Sequence, residues 1–136
     1  MTYSYSYSYK CPICEECPGS HSLSKIHVKR DGTAVFYTCP AKSSKFWDRP
    51  GIEAHYEGML SELGDTPWIW IVDFSDFSLV HTTVPGVVIS VARIVQKYSK
   101  NLRKISVINN TWYIDMILNL TRPFMSPESY NLIQID

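Results

Sequence analysis

The second half of the chain alternates strand and helix signals, and this limits the possible folds more than any other feature. Trp68-Ile69-Trp70-Ile71-Val72-Asp73-Phe74 is an aromatic and β-branched run of buried-strand length, and Lys104-Ile105-Ser106-Val107-Ile108-Asn109 reads as another strand. Between them Val87, Val88, Val91, Ile94, Val95 and Tyr98 recur at helical spacing. Upstream, Lys25 to Arg30 and Thr33 to Thr38 alternate as two strands around Asp31-Gly32. Glycine there accepts the positive φ of a two-residue hairpin turn. A helix from about Gly51 to Leu63 carries Ile52, Tyr56, Met59, Leu60 and Leu63 on one stripe. Asp48 is placed to cap its start, and Gly64 suits the residue after its end. Leu132 to Ile135 is a last strand. With a helix at 112–120, the order β-β-α-β-α-β-α-β predicts an α/β fold, a mixed sheet flanked by helices.

The segment Trp112-Tyr113-Ile114-Asp115-Met116-Ile117-Leu118-Asn119-Leu120 is apolar on nearly every side. Such a helix must be covered by protein, lipid or another chain. A chain of 136 residues has room for a single core and little more. Two expectations follow: the segment fills a closed core, or it lies like a lid over a bound apolar ligand.

Hydrophobic residues at 45% and charged residues at 19% belong to an ordinary folded domain. Thirteen basic and thirteen acidic side chains cancel, which argues against nucleic acid as the main partner. Arg93, Lys97, Lys100, Arg103 and Lys104 form a local basic cluster without an intervening acid. It reads either as a solvated helix end or as a contact for anionic lipid headgroups at a membrane periphery. No stretch approaches the ~20 apolar residues of a membrane span. The N-terminus lacks a positive-then-apolar signal pattern, so the expectation is a cytoplasmic protein. Residues 1–9 form a Tyr/Ser low-complexity tail, 10–24 a Cys-rich loop, and 25–136 the main domain.

In a cytoplasmic protein four cysteines favour free thiols or metal ligands over disulfides. Cys11, Cys14, Cys17 and His21 offer three thiolates and an imidazole, the tetrahedral S and N set of structural Zn²⁺. Cys39 is an alternative ligand that would pin the loop to the first hairpin. An iron–sulfur loop and a redox Cys-x-x-Cys rank below zinc, the latter because no strand precedes Cys11. His27, His55 and His81 read as ordinary helix, strand or loop residues.

Catalysis finds no support: there is no Gly-rich phosphate loop, nucleophile elbow or His-Glu helix motif. No organic cofactor is expected. Asp73 and Asp76 end a central strand, where α/β proteins often place ligand groups. Asp73 reads as structural.

The second half also resembles the CRAL-TRIO family of lipid-binding domains. Val72-Asp73-Phe74-Ser75-Asp76-Phe77-Ser78, the helix through Val91 to Lys97, Tyr98, Val107-Ile108-Asn109, Trp112 and Thr121-Arg122-Pro123-Phe124-Met125-Ser126-Pro127 follow the family's order and spacing. Asp31 to Tyr37 is similar to its Asp-x-x-Gly-Arg-Pro-Val hairpin, with Thr33-Ala34 replacing Arg-Pro. The similarity runs over roughly residues 25 to 136. It implies a hydrophobic pocket closed by a gate helix, here Trp112 to Leu120 continuing to Phe124. Phe36, Trp70, Trp112, Met116, Ile117, Leu120 and Phe124 would then contact a lipid or other hydrophobic small molecule. Lys100 and Leu132 stand where inositol-lipid-binding members carry an acid and a lysine, which argues against that headgroup. The Lys97 to Leu102 turn is closer to BCH-type relatives, which bind small GTPases and their regulators. The family's N-terminal helical lobe and last C-terminal segment have no counterpart, and a missing wall could be supplied by a homodimer. Three functions follow as expectations: a lipid-binding, non-enzymatic module; a BCH-type interaction module with a collapsed pocket; and a zinc-ribbon-like adaptor.

Overall fold

A computed structural model describes residues 9–136. All of the expected Tyr/Ser tail except Tyr9 lies outside the described residues. Five strands, β1 (Ser24–Val28), β2 (Ala34–Thr38), β3 (Trp68–Asp73), β4 (Leu102–Ile108) and β5 (Ile133–Ile135), make one sheet in that spatial order. The first two are antiparallel, and every later neighbour is parallel. Helices α1 (Pro12–Glu16), α2 (Arg49–Leu60), α3 (Pro85–Lys97), α4 (Ile114–Thr121) and α5 (Pro127–Tyr130) complete the chain. Parallel neighbours need a crossover of a dozen or more residues. Here α2, α3 and α4 lie in the three crossovers, which gives the predicted mixed sheet with flanking helices.

The register explains where the core sits. Ala34, Trp68 and Leu102 lie side by side, then Phe36, Trp70 and Ile105, then Thr38, Val72 and Val107. These rows share one face because strand side chains alternate. Onto that face α2 delivers Ile52, Tyr56 and Leu60, and α3 delivers Ile94 and Val95. Burying each such aliphatic side chain contributes about 1.5–3 kcal/mol. Polar ties also join the two helices: Ser90 Oγ donates to Glu53 Oε2 at 2.7 Å, Lys97 Nζ donates to Glu57 Oε2 at 2.9 Å, and the hydroxyl of Tyr98, just past α3, donates to Glu57 Oε1 at 2.5 Å. No helix among the described residues is long and apolar enough to cross a membrane.

Three local expectations need correction. The hairpin turn holds three residues, not two. Gly32 N donates to Lys29 O, and Lys29 N donates to Thr33 O, both at 2.9 Å. Gly32 has φ +91°, the left-handed residue that follows a type I turn in three-residue loops. Next, α2 starts two residues early, because Arg49-Pro50 suits the first helical turn, and Asp48 Oδ1 accepts from Gly51 N at 3.2 Å. It also ends at Leu60: Leu63 N turns back to Leu60 O at 3.1 Å, and Gly64 takes φ +55° beyond that tightened turn. Finally, Trp112 and Tyr113 lie in the turn before α4, outside the helix. This two-residue shift decides which side of α4 faces inward.

Candidate functional site

Between the packed face of the sheet and α4 lies a cavity of about 160 Å³. Its floor is Trp70, Val72, Ile105 and Val107. Val87, Val88, Val91 and Ala92 of α3 form one wall, and Ile114, Ile117, Leu118 and Thr121 of α4 form the roof with Met125. The roof residues stand at i, i+3, i+4 and i+7, one face of a helix. The few polar atoms at the floor satisfy each other. Trp70 Nε1 donates to Thr38 Oγ1 at 2.9 Å, and the Tyr56 hydroxyl shares a 2.9 Å bond with Thr38 Oγ1 while donating to Ser22 O at 3.1 Å. Burial pushes the Tyr56 hydroxyl well above its ordinary range, so it stays protonated. The floor therefore offers apolar surface rather than a free polar anchor.

Of the side chains expected at a lipid, Trp70 and Ile117 line the cavity. Phe36 is buried in the core instead, edge-on to Trp68 with centroids 5.6 Å apart. Trp112 is 99% exposed and Met116 45% exposed, both on the outer side of the roof. Leu120 is half-buried away from the cavity, and Phe124 is half-buried beneath the Arg93 guanidinium, 4.6 Å from its ring centre. Of the roof, the residues missed are Ile114, Leu118, Thr121 and Met125, and the α3 wall and most of the floor were missed as well. A spacing count begun at Ile114 instead of Trp112 picks out Ile114, Leu118 and Thr121.

The basic cluster is largely occupied within the chain. Arg93 stacks on Phe124, Lys97 pairs with Glu57 at 2.9 Å, and Lys100 reaches Asp65 at 3.9 Å. Exposed pairs of this kind are worth little to stability, but they lower the charge left for a lipid headgroup.

Asp73 ends β3 as a fully engaged carboxylate. Its Oδ2 accepts from the Tyr37 hydroxyl at 2.5 Å. Its Oδ1 accepts from Ser75 N at 2.9 Å, Ser75 Oγ at 2.7 Å and Asn109 Nδ2 at 3.0 Å. Burial would raise this carboxyl, but the bonds from Tyr37, Asn109 and Ser75 outweigh it and hold the group well below the usual carboxylate range. With its lone pairs taken, Asp73 fixes the loop after β3 and leaves no free base. Asp76 is exposed, in a left-handed conformation with φ +61°.

The metal-ligand set expected from spacing is not the one brought together. Cys17 is exposed and stands outside the cluster, and Cys39 is buried elsewhere with Sγ 3.8 Å from Ser75 O. Cys11, Cys14 and His21 converge instead with His55 of α2. By sequence alone His55 reads as an ordinary helix, strand or loop residue. Its place forty-one residues after Cys14 leaves no spacing signal.

The CRAL/TRIO domain pattern matches residues 52–136 of the chain. Among solved structures, one titled "Crystal structure of Sfh5" superposes with a TM-score of 0.71 at 14% identity. The superposition covers 96% of this chain and 53% of that one, so the chain spans about half the length of that structural relative. No curated protein matches the sequence. With the domain pattern spanning more than half of the residues, and the cavity-bearing sheet built as described, the chain belongs to the CRAL/TRIO domain family.

Proposed function

We propose that this protein binds a lipid or another hydrophobic small molecule between its sheet and α4. The observation that carries the reading is the apolar cavity of about 160 Å³ whose roof is the inner face of α4. Apolar cavities of about 150 Å³ stay dry and take up benzene-sized guests. A short hydrocarbon segment fits the space as it stands, and a long acyl chain needs α4 displaced. Each buried CH₂ contributes about 0.8 kcal/mol, so a chain of modest length can offset the cost of moving an eight-residue helix. The reading of α4 as a gate draws support from the chain at its two ends. Asn109, at φ +50°, bends the chain directly after β4, and Arg122-Pro123 follow the last residue of α4.

The outer side of the gate supports loading at a lipid surface. Trp112 and Met116 are exposed there, and indole rings favour the boundary between water and hydrocarbon. An open cavity also favours this reading over an interaction module whose pocket has collapsed.

The test is uptake of a fluorescent fatty acid by the full chain, with native mass spectrometry of the purified protein for co-purifying lipid. Saturable uptake is expected, and Ala92→Phe, which fills the cavity from its α3 wall, should abolish it. Overpacking at a buried site costs about 1–3 kcal/mol, so Val91→Phe at a half-buried wall position is the second blocker. Undiminished uptake in a folded blocker would overturn the proposal.

A further inference from the structure

We infer that Cys11, Cys14, His21 and His55 form a tetrahedral zinc site clamping the N-terminal segment onto α2. The site stands apart from the cavity and does not depend on ligand binding there. One ligand atom from each residue lies within 4.8 Å of all the others. Cys11 Sγ is 3.5 Å from His21 Nδ1, and Cys14 Sγ is 3.7 Å from His21 Nδ1 and 3.6 Å from His55 Nδ1. With Zn–S near 2.3 Å and Zn–N near 2.0–2.1 Å, tetrahedral angles put S and N about 3.5 Å apart. The three separations already stand at that value or slightly above it.

The imidazoles are aimed by their far nitrogens. His55 Nε2 lies 2.9 Å from Leu23 O, and a carbonyl can only accept, so Nε2 carries the proton and Nδ1 presents a lone pair to Cys14. His21 repeats the arrangement, with Nε2 2.8 Å from Asp48 Oδ2 and Nδ1 facing both thiols. Metal-bound histidines characteristically carry such a carbonyl or carboxylate on the other ring nitrogen, which fixes tautomer and orientation. Burial agrees with this: Cys11 and His21 are 6% exposed and His55 is 7% exposed.

The donor chemistry selects the ion. Two thiolates and two imidazoles in a tetrahedron suit zinc, whereas magnesium and calcium take oxygen ligands. On binding, each thiol loses its proton to solvent. Two thiolates then balance the dication, and a neutral unit avoids the cost of burying net charge. The structural return is local order. At five residues α1 is far below the length at which a helix holds by itself, and Cys11 and Cys14 lie at its N-cap and third residue. The metal would fasten α1 to the helix that contributes Tyr56 to the core.

The experiment uses the full chain, reduced and stripped with chelator, then given Zn²⁺ alone. Native mass spectrometry should show one bound zinc. Co²⁺ in its place should give the visible bands of a tetrahedral ion with two thiolates. Cys14→Ser and His55→Ala should each lower zinc affinity at least a hundredfold. Cys17→Ser and Cys39→Ala should leave it unchanged. Asp48→Ala should lower it about 10–100-fold as a positioning residue. If His55→Ala does not fold, His55→Cys supplies another soft ligand and should retain the metal with a three-thiolate cobalt spectrum. No zinc uptake by the reduced wild type overturns the site. So does a bound zinc that survives His55→Ala and is lost in Cys17→Ser, and so does a His55→Cys variant with an unchanged cobalt spectrum.

Discussion

The Tyr37 hydroxyl donates to Asp73 Oδ2 at 2.5 Å, across the parallel pairing of β2 and β3. That bond joins the adjacent strand to the loop on which Asn109 also converges. Asp73 is 6% exposed, so removing its charge unbalances the donors of Tyr37, Ser75 and Asn109 at once. Asp73→Asn should cost about 2–3 kcal/mol, the scale of lost hydrogen bonds to a charged group. The pH dependence has a definite sign. The folded pKa lies below the unfolded one. The contribution is therefore complete above about pH 4 and is lost as pH falls from there through the folded value. Thermal unfolding followed from pH 7 to pH 2 should show a shallower acid decline in Asp73→Asn than in wild type. Parallel declines would mean that Asp73 is not ionised in the folded state.

The inner and outer sides of α4 make opposite predictions for neighbouring residues. Ile117 lines the cavity, whereas Met116 is 45% exposed and points away. Ile117→Glu should weaken binding of an apolar fluorophore at least tenfold, a loss of about 1.4 kcal/mol or more. Met116→Glu should leave it within about twofold. If Met116→Glu is the damaging change, α4 is rotated in the bound form.

Membrane association separates the apolar patch from the cations. Trp112 makes almost no contact with the rest of the protein, so Trp112→Ala should alter stability by no more than about 0.5 kcal/mol. Co-sedimentation with anionic vesicles should nevertheless fall several-fold. Lys97→Gln with Lys100→Gln should matter less, because both lysines already face acids, Glu57 and Asp65. A larger effect from the double lysine change would transfer the role from the indole to the basic cluster.

Much of the sheet was legible because local and global signals agree. The run Trp68 to Phe74 is apolar at every position but Asp73, as a central parallel strand requires, and β3 pairs on both sides. The roof of the cavity was legible only as a segment. In Trp112 to Leu120 the inner face depends on where the helix begins: Asp115 and Asn119, four apart and both exposed, mark the outer side, but a count begun at Trp112 instead of Ile114 turns the wrong residues inward. His55 was illegible for another reason. Its partner Cys14 is distant in sequence, and only the docking of α2 beside residues 11–23 brings the two within 3.6 Å. The spacing pointed to Cys11, Cys14, Cys17 and His21; the structure gathers three of these side chains, and the fourth neighbour, His55, depended on tertiary structure.

Gly51 gives a last prediction that runs against helix propensity. In a helix, Gly→Ala ordinarily stabilises by up to about 1 kcal/mol. Here an added Cβ would collide with the Asp48 carboxylate and stand 2.8 Å from His21 Cε1. Neither neighbour yields easily, since Asp48 bonds both Gly51 N and His21 Nε2. Displacing Asp48 forfeits the N-cap, worth about 1 kcal/mol, and moves a buried imidazole. Gly51→Ala should therefore be destabilising by about 1–3 kcal/mol. Denaturant unfolding of the reduced chain in chelator isolates the cap and packing loss. The same measurement with Zn²⁺ should widen the gap between variant and wild type, because His21 would no longer be aimed. A variant more stable than wild type in chelator would show that Asp48 can swing aside freely, and that the close approach at Gly51 imposes no constraint on the start of α2.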